Sequence, residues 1–297
     1  MKLRFGAHPS NLTLTAITHH APLQQSLRDA GHDPEFLWYP EGRLMQDLAA
    51  SGKVNVIGTG TTRAVVAQAE GLQIAYIGAS TQRRSWSAIL VPEGSPIKTA
   101  SDLAGKRIGL IEGSFQTYFL LAALDKVGLN YESVDHRNLK PGESQAALRA
   151  GDIDAWVAMD PYLTTAFSAG GLTKVAECDG VISNRSVFWV LQDVVDAGPE
   201  VVQTVFDALA ATDAWIGADP ARAGALFAEC IGNGLSADEW AKGIAKREWG
   251  IHLPDAELIQ EQQTEADLLA KHGLLSRRIN VNDAVLPFAL HARAATV

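Results

Sequence analysis

Short apolar runs alternate with amphipathic stretches over the first 90 residues of the chain. The apolar runs have the length and composition of buried strands, and the longer stretches have the periodicity of helices. We predict strands at residues 3–7, 35–39, 54–58 and 74–78, and helices at 12–30, 42–50 and 61–70, with the first helix broken or delayed at Pro22. This order is typical of a mostly parallel sheet covered by helices.

A second series of the same kind follows a strand at 87–91, which two prolines and a glycine end within residues 92–96. We predict strands at 107–111, 134–138, 155–159 and 186–192, and helices at 115–127, 142–150 and 161–169. One motif occurs in both series, at residues 48–58 (LAASGKVNVIG) and 148–157 (LRAGDIDAWV), where a helix end and a glycine precede a buried strand. Two similar α/β units in one chain predict two lobes.

The pattern is helical from Pro199 to the C-terminal region. One apolar stripe repeats at helical spacing and consists of Val202, Val205, Phe206 and Leu209. We expect this helical block to pack on the first lobe. Lobe 1 then comprises residues 1–90 and 190–297, and lobe 2 comprises residues 91–189, with two chain crossings that act as a hinge.

Composition and charge narrow the function. The chain is 47% hydrophobic and has a net charge of -9, which argues against a nucleic-acid partner because such proteins carry a basic face. No apolar run is long enough to insert into a membrane, and the N-terminus begins directly as a strand. We therefore expect a periplasmic protein if a leader was removed from this chain, and a cytoplasmic one otherwise. The two cysteines lack metal-ligand spacing, so we predict neither a metal nor a cofactor.

Three loops share one design, in which a strand runs into small polar residues and a helix then begins. The N–H groups of a first helical turn have no intrahelical acceptor and can bind the oxygens of an anion. The alternative is ordinary N-capping by Ser, Thr and Asn. The candidates for ligand contact in these loops are His8, Ser10, Asn11, Gly60, Thr61, Thr62, Gly113, Ser114, Phe115 and Gln116.

Further candidates lie outside these three loops. Arg63 follows the second loop and could clamp an anion bidentately, or could be solvated at the helix start. Arg83 and Arg84 are expected to face solvent, with contact of one of them with the ligand in the cleft as the alternative. Asp160 and Tyr162 end the second copy of the motif, and Asp160 is either a cap or a ligand contact. Tyr162 and Trp189 are predicted to wall an apolar part of a ligand, with the core as the alternative for Trp189.

Catalytic motifs give little support to an enzyme. The sequence contains no Gly-x-Ser-x-Gly elbow, no phosphate loop, no His-Glu-x-x-His and no complete Gly-x-Gly-x-x-Gly. His8 is the histidine in a predicted cleft loop, where a hydrogen bond to a ligand is a more natural role than general base catalysis. We therefore expect a binding protein rather than an enzyme.

Several segments resemble the substrate-binding proteins of ABC importers for nitrate, taurine and aliphatic sulfonates. They are residues 87–109 (SAILVPEGSPIKTASDLAGKRIG), 112–114 (EGS), 150–156 (AGDIDAW) and 160–162 (DPY). The resemblance implies a two-lobed type II periplasmic-binding-protein fold, with a cleft between the lobes that closes on a small anion, and a membrane-embedded ABC permease as partner. We also expect the protein to be a monomer. Met159 stands where the family often has Trp, so an aromatic wall is missing there.

The sequence thus favours a solute-binding protein for an aliphatic or aromatic sulfonate. The alternative is an enzyme or cytoplasmic sensor on the same fold. Aromatic sulfinate desulfinases resemble these binders but need a cysteine near the first strand, where this chain has residues 8–11 (HPSN). Pyrimidine synthases resemble them as well but carry a cysteine-rich motif that this sequence lacks. A binder of an uncharged pyrimidine is a further alternative.

Overall fold

The structure is a computed structural model that describes residues 1–291, apart from the side chain of Arg43. The chain forms two compact units. Unit 1 comprises Met1–Thr81, Arg185–Ala270 and the described residues from Leu275 onward, and unit 2 comprises Gln82–Asn184 and Lys271–Leu274.

The first part of unit 1 follows the predicted alternation. Its elements are β1 (Lys2–Ala7), α1 (Leu12–His19), α2 (Gln25–Asp29), β2 (Asp33–Trp38), α3 (Met45–Ala50), β3 (Val56–Gly60), α4 (Thr61–Ala69) and β4 (Ile74–Ser80). The long helix predicted at 12–30 is indeed broken, because Pro22 opens a 3-10 turn between α1 and α2. α1 begins where the Asn11 Oδ1 accepts a hydrogen bond from the Leu14 N–H at 2.9 Å.

Unit 2 contains β5 (Ser87–Pro92), β6 (Arg107–Leu110), α5 (Phe115–Asp125), β7 (Asp135–Asn138), α6 (Pro141–Ala150), β8 (Ala155–Met159), α7 (Tyr162–Ser168) and β9 (Leu172–Glu177). Its five-stranded sheet has the order β7-β6-β8-β5-β9. β6 is parallel to β7 and β8, whereas β5 is antiparallel to β8 and β9. β9 is an edge strand without the apolar run that would have predicted it.

The chain then returns to unit 1 through β10 (Ser186–Leu191), α8 (Gln192–Asp196), α9 (Pro199–Ala218), α10 (Pro220–Ile231), α11 (Ala237–Ile244), β11 (Ile251–His252) and α12 (Ala256–Lys271). The six-stranded sheet has the order β11-β4-β10-β3-β1-β2. β1 is parallel to β2 and β3, and β10 is antiparallel to β3 and β4. The stripe predicted on α9 is buried in the core of this unit, so the C-terminal helices pack on unit 1 as expected.

The unit boundaries differ from the expected ones in three places. β5 belongs wholly to unit 2 because it hydrogen-bonds with β8 and β9, and β10 belongs wholly to unit 1 because it lies between β3 and β4. The strand at 186–192 therefore does not close the second series. Residues 271–274 belong to unit 2, where Lys271 and His272 contact Asp125 at 2.6 and 2.8 Å.

The repeated motif has the same local structure in both units. Gly52 and Gly151 occupy the equivalent positions, with φ of +67° and +78°. Glycine adopts this left-handed conformation without the steric cost that a Cβ imposes, so both helices end there and a buried strand follows.

Candidate functional site

Two of the predicted loops are neighbours in unit 1. β1 and β3 are adjacent parallel strands, so the residues that follow their carboxyl ends lie at one edge of the sheet. The loop after β1 holds His8, Ser10 and Asn11, and β3 leads directly into α4 with Thr61 and Thr62. We call this region the unit 1 edge.

His8 is buried at this edge and neutral at physiological pH. Its Nδ1 accepts a hydrogen bond from the Ser10 N–H at 3.3 Å, so the neutral ring carries its proton on Nε2. Burial lowers the pKa of His8 to about 4. The nearby Gly58 backbone acts to raise this pKa, and the positive charge of Arg63 acts to lower it further. The His8 ring also contacts Tyr39, with ring centroids 5.5 Å apart.

Four buried polar atoms at the unit 1 edge make no hydrogen bond of good geometry with any described residue: His8 Nε2, Asn11 Nδ2, Tyr39 Oη and Thr61 Oγ1. The Gly58 backbone lies close to His8, and the carboxylate of Glu265 lies close to the Thr61 hydroxyl. Each side chain is more than nine-tenths buried. Leaving a buried polar atom unpaired costs about 1–3 kcal/mol, so such atoms are rare in folded proteins and call for an explanation. All four can act as donors, so this edge is rich in hydrogen-bond donors without a well-aligned acceptor among the described residues.

The start of α4 adds further donors. The first N–H groups of this helix have no intrahelical acceptor. The N-cap residue is Gly60, and no side chain among the described residues caps the helix there. Gly58 lets β3 pass close to the loop after β1, since a Cβ on this glycine would lie 2.6 Å from Asn11 Nδ2 and 2.8 Å from the Phe188 ring. The glycine is required by this close approach.

Arg63 lies near this group of donors. Its positive charge lowers the pKa of both His8 and Tyr39. For His8 this effect adds to that of burial, whereas for Tyr39 it opposes burial. Burial is the larger effect on Tyr39 and raises the pKa of its phenol, so Tyr39 stays protonated and able to donate. The unit 1 edge therefore combines a cation, a helix N-terminus and neutral donors.

A buried carboxyl group lies behind the start of α4. Glu265 of α12 accepts hydrogen bonds from the Thr62 hydroxyl and from Gln262 Nε2, the latter at 3.3 Å. Gln262 Oε1 accepts in turn from the Tyr76 hydroxyl at 3.0 Å. Burial raises the pKa of Glu265 to about 7, while Thr61, Thr62 and Gln262 oppose that rise.

Sequence reasoning missed this carboxyl group. Leu258, Gln262, Glu265, Ala266 and Leu269 are buried at helical spacing on α12. Gln262 and Glu265 therefore interrupt an apolar face, and that interruption was the available signal. Tyr39 was missed as a functional residue although it directly follows β2 at the same edge of the sheet.

The predicted loop in unit 2 is different, because its polar groups bond to one another. The Ser114 hydroxyl donates to the Ile111 carbonyl at 2.6 Å and accepts from the Gln116 N–H at 3.1 Å. Gln116 Oε1 accepts from the Ile111 N–H at 2.6 Å, and the Gly113 N–H donates to Thr117 Oγ1 at 2.9 Å. Phe115 is buried beside them. The capping alternative thus describes Ser114.

The remaining candidates have structural partners. Asp160 Oδ1 accepts hydrogen bonds from the Thr164 N–H at 2.8 Å and from the Thr164 hydroxyl, so this carboxylate acts as a helix cap. Tyr162 is half-buried and packs on the core of unit 2. Trp189 is fully buried and donates to Thr59 Oγ1 at 3.2 Å, so it is a core residue of unit 1 and not a ligand wall.

Arg83 donates to the Asn184 carbonyl at 2.9 Å, and Arg84 is exposed beside Asp179 at 3.4 Å. Arg84 therefore faces solvent as expected, whereas Arg83 is held within unit 2.

The described residues form no cluster suited to metal binding, and the two cysteines are not activated for thiol chemistry. Across residues 1–291, no three His, Cys, Asp or Glu side chains are grouped so as to hold a metal ion. Burial raises the pKa of the Cys178 thiol to about 12 and that of Cys230 to about 11, so both stay protonated at neutral pH. In the same residues no helix has the length and apolarity needed to cross a membrane.

Relatives of known function or structure cover nearly the whole chain. An Escherichia coli (strain K12) protein assigned as aliphatic sulfonates-binding is 26% identical over 286 residues, which is 95% of this chain and 88% of that protein. The crystal structure of the periplasmic aliphatic sulphonate binding protein SsuA from Escherichia coli matches with a TM-score of 0.86 and 25% identity, covering 98% of this chain and 94% of that one.

A second crystal structure agrees. The alkanesulfonate-binding protein SsuA from Xanthomonas axonopodis pv. citri, bound to MOPS, matches with a TM-score of 0.83 and 28% identity, over 96% of this chain and 97% of that one. These likenesses confirm the predicted periplasmic-binding-protein fold. The relatives are binding proteins, which supports the main interpretation of the sequence over the enzyme alternative.

The family model described as NMT1/THI5 like matches residues 27–223, which is more than half of the chain. The match begins before β2 and ends within α10, so it includes most of the described α/β elements. The chain therefore belongs to the NMT1/THI5-like family.

Proposed function

We propose that this chain is the solute-binding protein of an ABC importer and that it captures a sulfonate, aliphatic or aromatic. The observation that carries the proposal is the group of four buried, unpaired donors at the unit 1 edge, on His8, Asn11, Tyr39 and Thr61. The relatives described above, which bind aliphatic sulfonates or alkanesulfonates, supply the ligand class.

A sulfonate fits this chemistry because its three oxygens only accept hydrogen bonds and the group stays ionised at physiological pH. The N–H groups of α4 and the Arg63 guanidinium supply positive potential that the net charge of -9 does not cancel at short range. Neutral His8 donates through Nε2 without adding a second charge. The edge thus matches a monoanion better than a neutral heterocycle.

Gly113, Phe115 and Tyr162 of unit 2 stay predicted contacts for the organic tail of the ligand. Ser114, Gln116 and Asp160 act by holding these residues in place, since their own polar groups bond within unit 2.

Calorimetric titration tests the ligand class. The wild-type chain is titrated with an alkanesulfonate, the carboxylate of the same chain length and an uncharged pyrimidine, at low and high salt. We expect one sulfonate per chain, weaker binding of the carboxylate, and weaker binding of both at high salt. Salt-insensitive binding of the pyrimidine without any sulfonate binding would overturn the proposal.

The proposal includes an ABC permease as partner, a monomeric state and a periplasmic location after removal of a leader. Light scattering after gel filtration measures the mass, which we expect to correspond to one 31.8 kDa chain. In vesicles containing the cognate permease, the loaded chain should stimulate ATP hydrolysis more than the unloaded chain. Equal stimulation would contradict the role as a substrate carrier.

A further inference from the structure

We propose that anion capture at the start of α4 is coupled to proton uptake by Glu265. This inference rests on the proposed function, because it concerns the same helix N-terminus. It assigns to Glu265 a positioning role, since the carboxyl group contacts Thr62 and acts on the ligand only through α4.

The geometry places a carboxyl group where an anion also has to be accommodated. Glu265 is 1% exposed and lies against the first turn of α4. Its ionised form accepts from Thr62 and Gln262, and the Thr61 hydroxyl approaches it without hydrogen-bond geometry. An ionised Glu265 therefore already satisfies part of the positive potential of this helix start.

Protonation changes which atoms donate. A neutral Glu265 carries one O–H, which can donate to Thr62 Oγ1, whereas the ionised form only accepts. The Thr62 hydroxyl hydrogen, released from Glu265, is then able to point toward an anion. Protonation also removes a buried negative charge from the neighbourhood of the bound anion, so both effects favour capture.

Among the groups that surround it, Glu265 is the one that changes its protonation near neutral pH. From β4 it faces Tyr76, whose pKa burial raises far above neutrality. On α12 its neighbour is Glu261, which pairs with Arg185 at 2.8 Å, and α4 presents the hydroxyls of Thr61 and Thr62. Burial lowers the pKa of His8 to about 4, so that ring is already neutral near pH 7 and does not titrate there. Because burial raises the pKa of Glu265 to about 7, a bound anion can shift its protonation within the physiological range.

The test is sulfonate titration by calorimetry between pH 6 and 8, in two buffers of different ionisation enthalpy. Wild-type protein should take up close to one proton per ligand at pH 8, and its affinity should fall about tenfold between pH 6 and 8. Glu265→Gln should bind with pH-independent affinity and without buffer-dependent heat. Asp267→Asn removes an exposed carboxylate two residues away on the same helix and should keep the wild-type pH dependence.

A second variant isolates the relay. Thr62→Val removes the hydroxyl that links Glu265 to the helix start, so it should weaken sulfonate binding, and the binding that remains should take up fewer protons than in the wild-type chain. If Glu265→Gln does not fold, as judged by circular dichroism, the proton count of the wild-type chain decides. Sulfonate binding with no proton uptake, or a pH dependence that persists in Glu265→Gln, would overturn the coupling but leave the proposed function intact. Absence of sulfonate binding at every pH would overturn both.

Discussion

The unit 1 edge and the loop before α5 in unit 2 differ although they share one sequence design. In each, a strand leads through small polar residues into a helix. In unit 2, Ser114, Gln116 and Thr117 satisfy one another and the backbone. At the unit 1 edge, the donors on Asn11 and Thr61 stay unpaired among residues 1–291. The same pattern thus serves as a cap in one place and, as we propose, as a binding site in the other.

The largest expected effect is a loss of sulfonate affinity when an arginine is removed from the unit 1 edge rather than from unit 2. Arg63→Ala should weaken sulfonate binding by about 2–5 kcal/mol, because a buried anion loses its counter-charge. Arg84→Ala in unit 2 is the matched control, since Arg84 is exposed and pairs with Asp179. Calorimetric titration measures both. An unchanged affinity in Arg63→Ala would remove this arginine from the site.

A pH-dependent stability difference should come from the unit 1 edge. His8 has a folded pKa of about 4, below its ordinary value of 6.5, so the unfolded chain binds more protons between these values and stability rises with pH there. Glu265 has a folded pKa of about 7, above its ordinary value of 4.5, so stability falls as pH rises between these two values. Each shift corresponds to about 3 kcal/mol, and the two largely offset one another.

Urea unfolding of single variants between pH 4.5 and 7 separates these opposing effects. Relative to wild type, Glu265→Gln should become more stable as pH rises, and His8→Gln should become less stable. The exposed Asp267→Asn variant should follow the wild-type curve. Parallel curves for all four proteins would show that neither buried group titrates as described.

Thr61→Ala should affect binding more than folding. Its buried hydroxyl approaches Glu265 but makes no hydrogen bond of good geometry among residues 1–291, so its removal should change stability by less than about 1 kcal/mol. A lost hydrogen bond to an anion should weaken sulfonate binding by about 1.5–3 kcal/mol. Binding and unfolding are measured on the same preparation. A large loss of stability with full affinity would make Thr61 a structural residue like Ser114.

Ser114→Ala should show the opposite behaviour with the smallest effect. The Ser114 side chain caps α5 and bonds to the Ile111 carbonyl, so its loss should destabilise the protein by about 1 kcal/mol. Sulfonate affinity should change much less, because the hydroxyl is already used within unit 2. Urea unfolding and calorimetry check both statements. A selective loss of affinity would place this hydroxyl on the ligand.

Most of the fold could be predicted from local patterns. The buried strands β1, β3, β4, β6 and β8 have apolar runs that are visible without any tertiary information, and the repeated glycines mark the helix ends before β3 and β8. β9 and β11 could not be predicted, because one is a half-exposed edge strand and the other has two residues. Their formation depends on partner strands rather than on their own composition.

The candidate site was predictable as a set of loops but not as a set of unpaired atoms. His8, Asn11, Thr61 and Thr62 were identified because they follow strands and begin helices. Trp189 was misplaced, because an aromatic residue on a strand has the same sequence signal on a core face as on a ligand face. Glu265 was missed, because its significance comes from a contact with a residue about 200 positions earlier.

The sequence by itself determined the α/β alternation, the two repeated units, the helical C-terminal block and the strand-to-helix loops, since hydrophobic period, glycine and capping residues act over a few neighbouring positions. Only the tertiary structure decided which of these loops retain unpaired donors. Pairing of a polar atom depends on what the fold brings within about 3 Å of it. In unit 2 that partner comes from the same loop, whereas at the unit 1 edge α12 brings Glu265 to Thr62 and leaves Thr61, Asn11 and His8 available for a ligand.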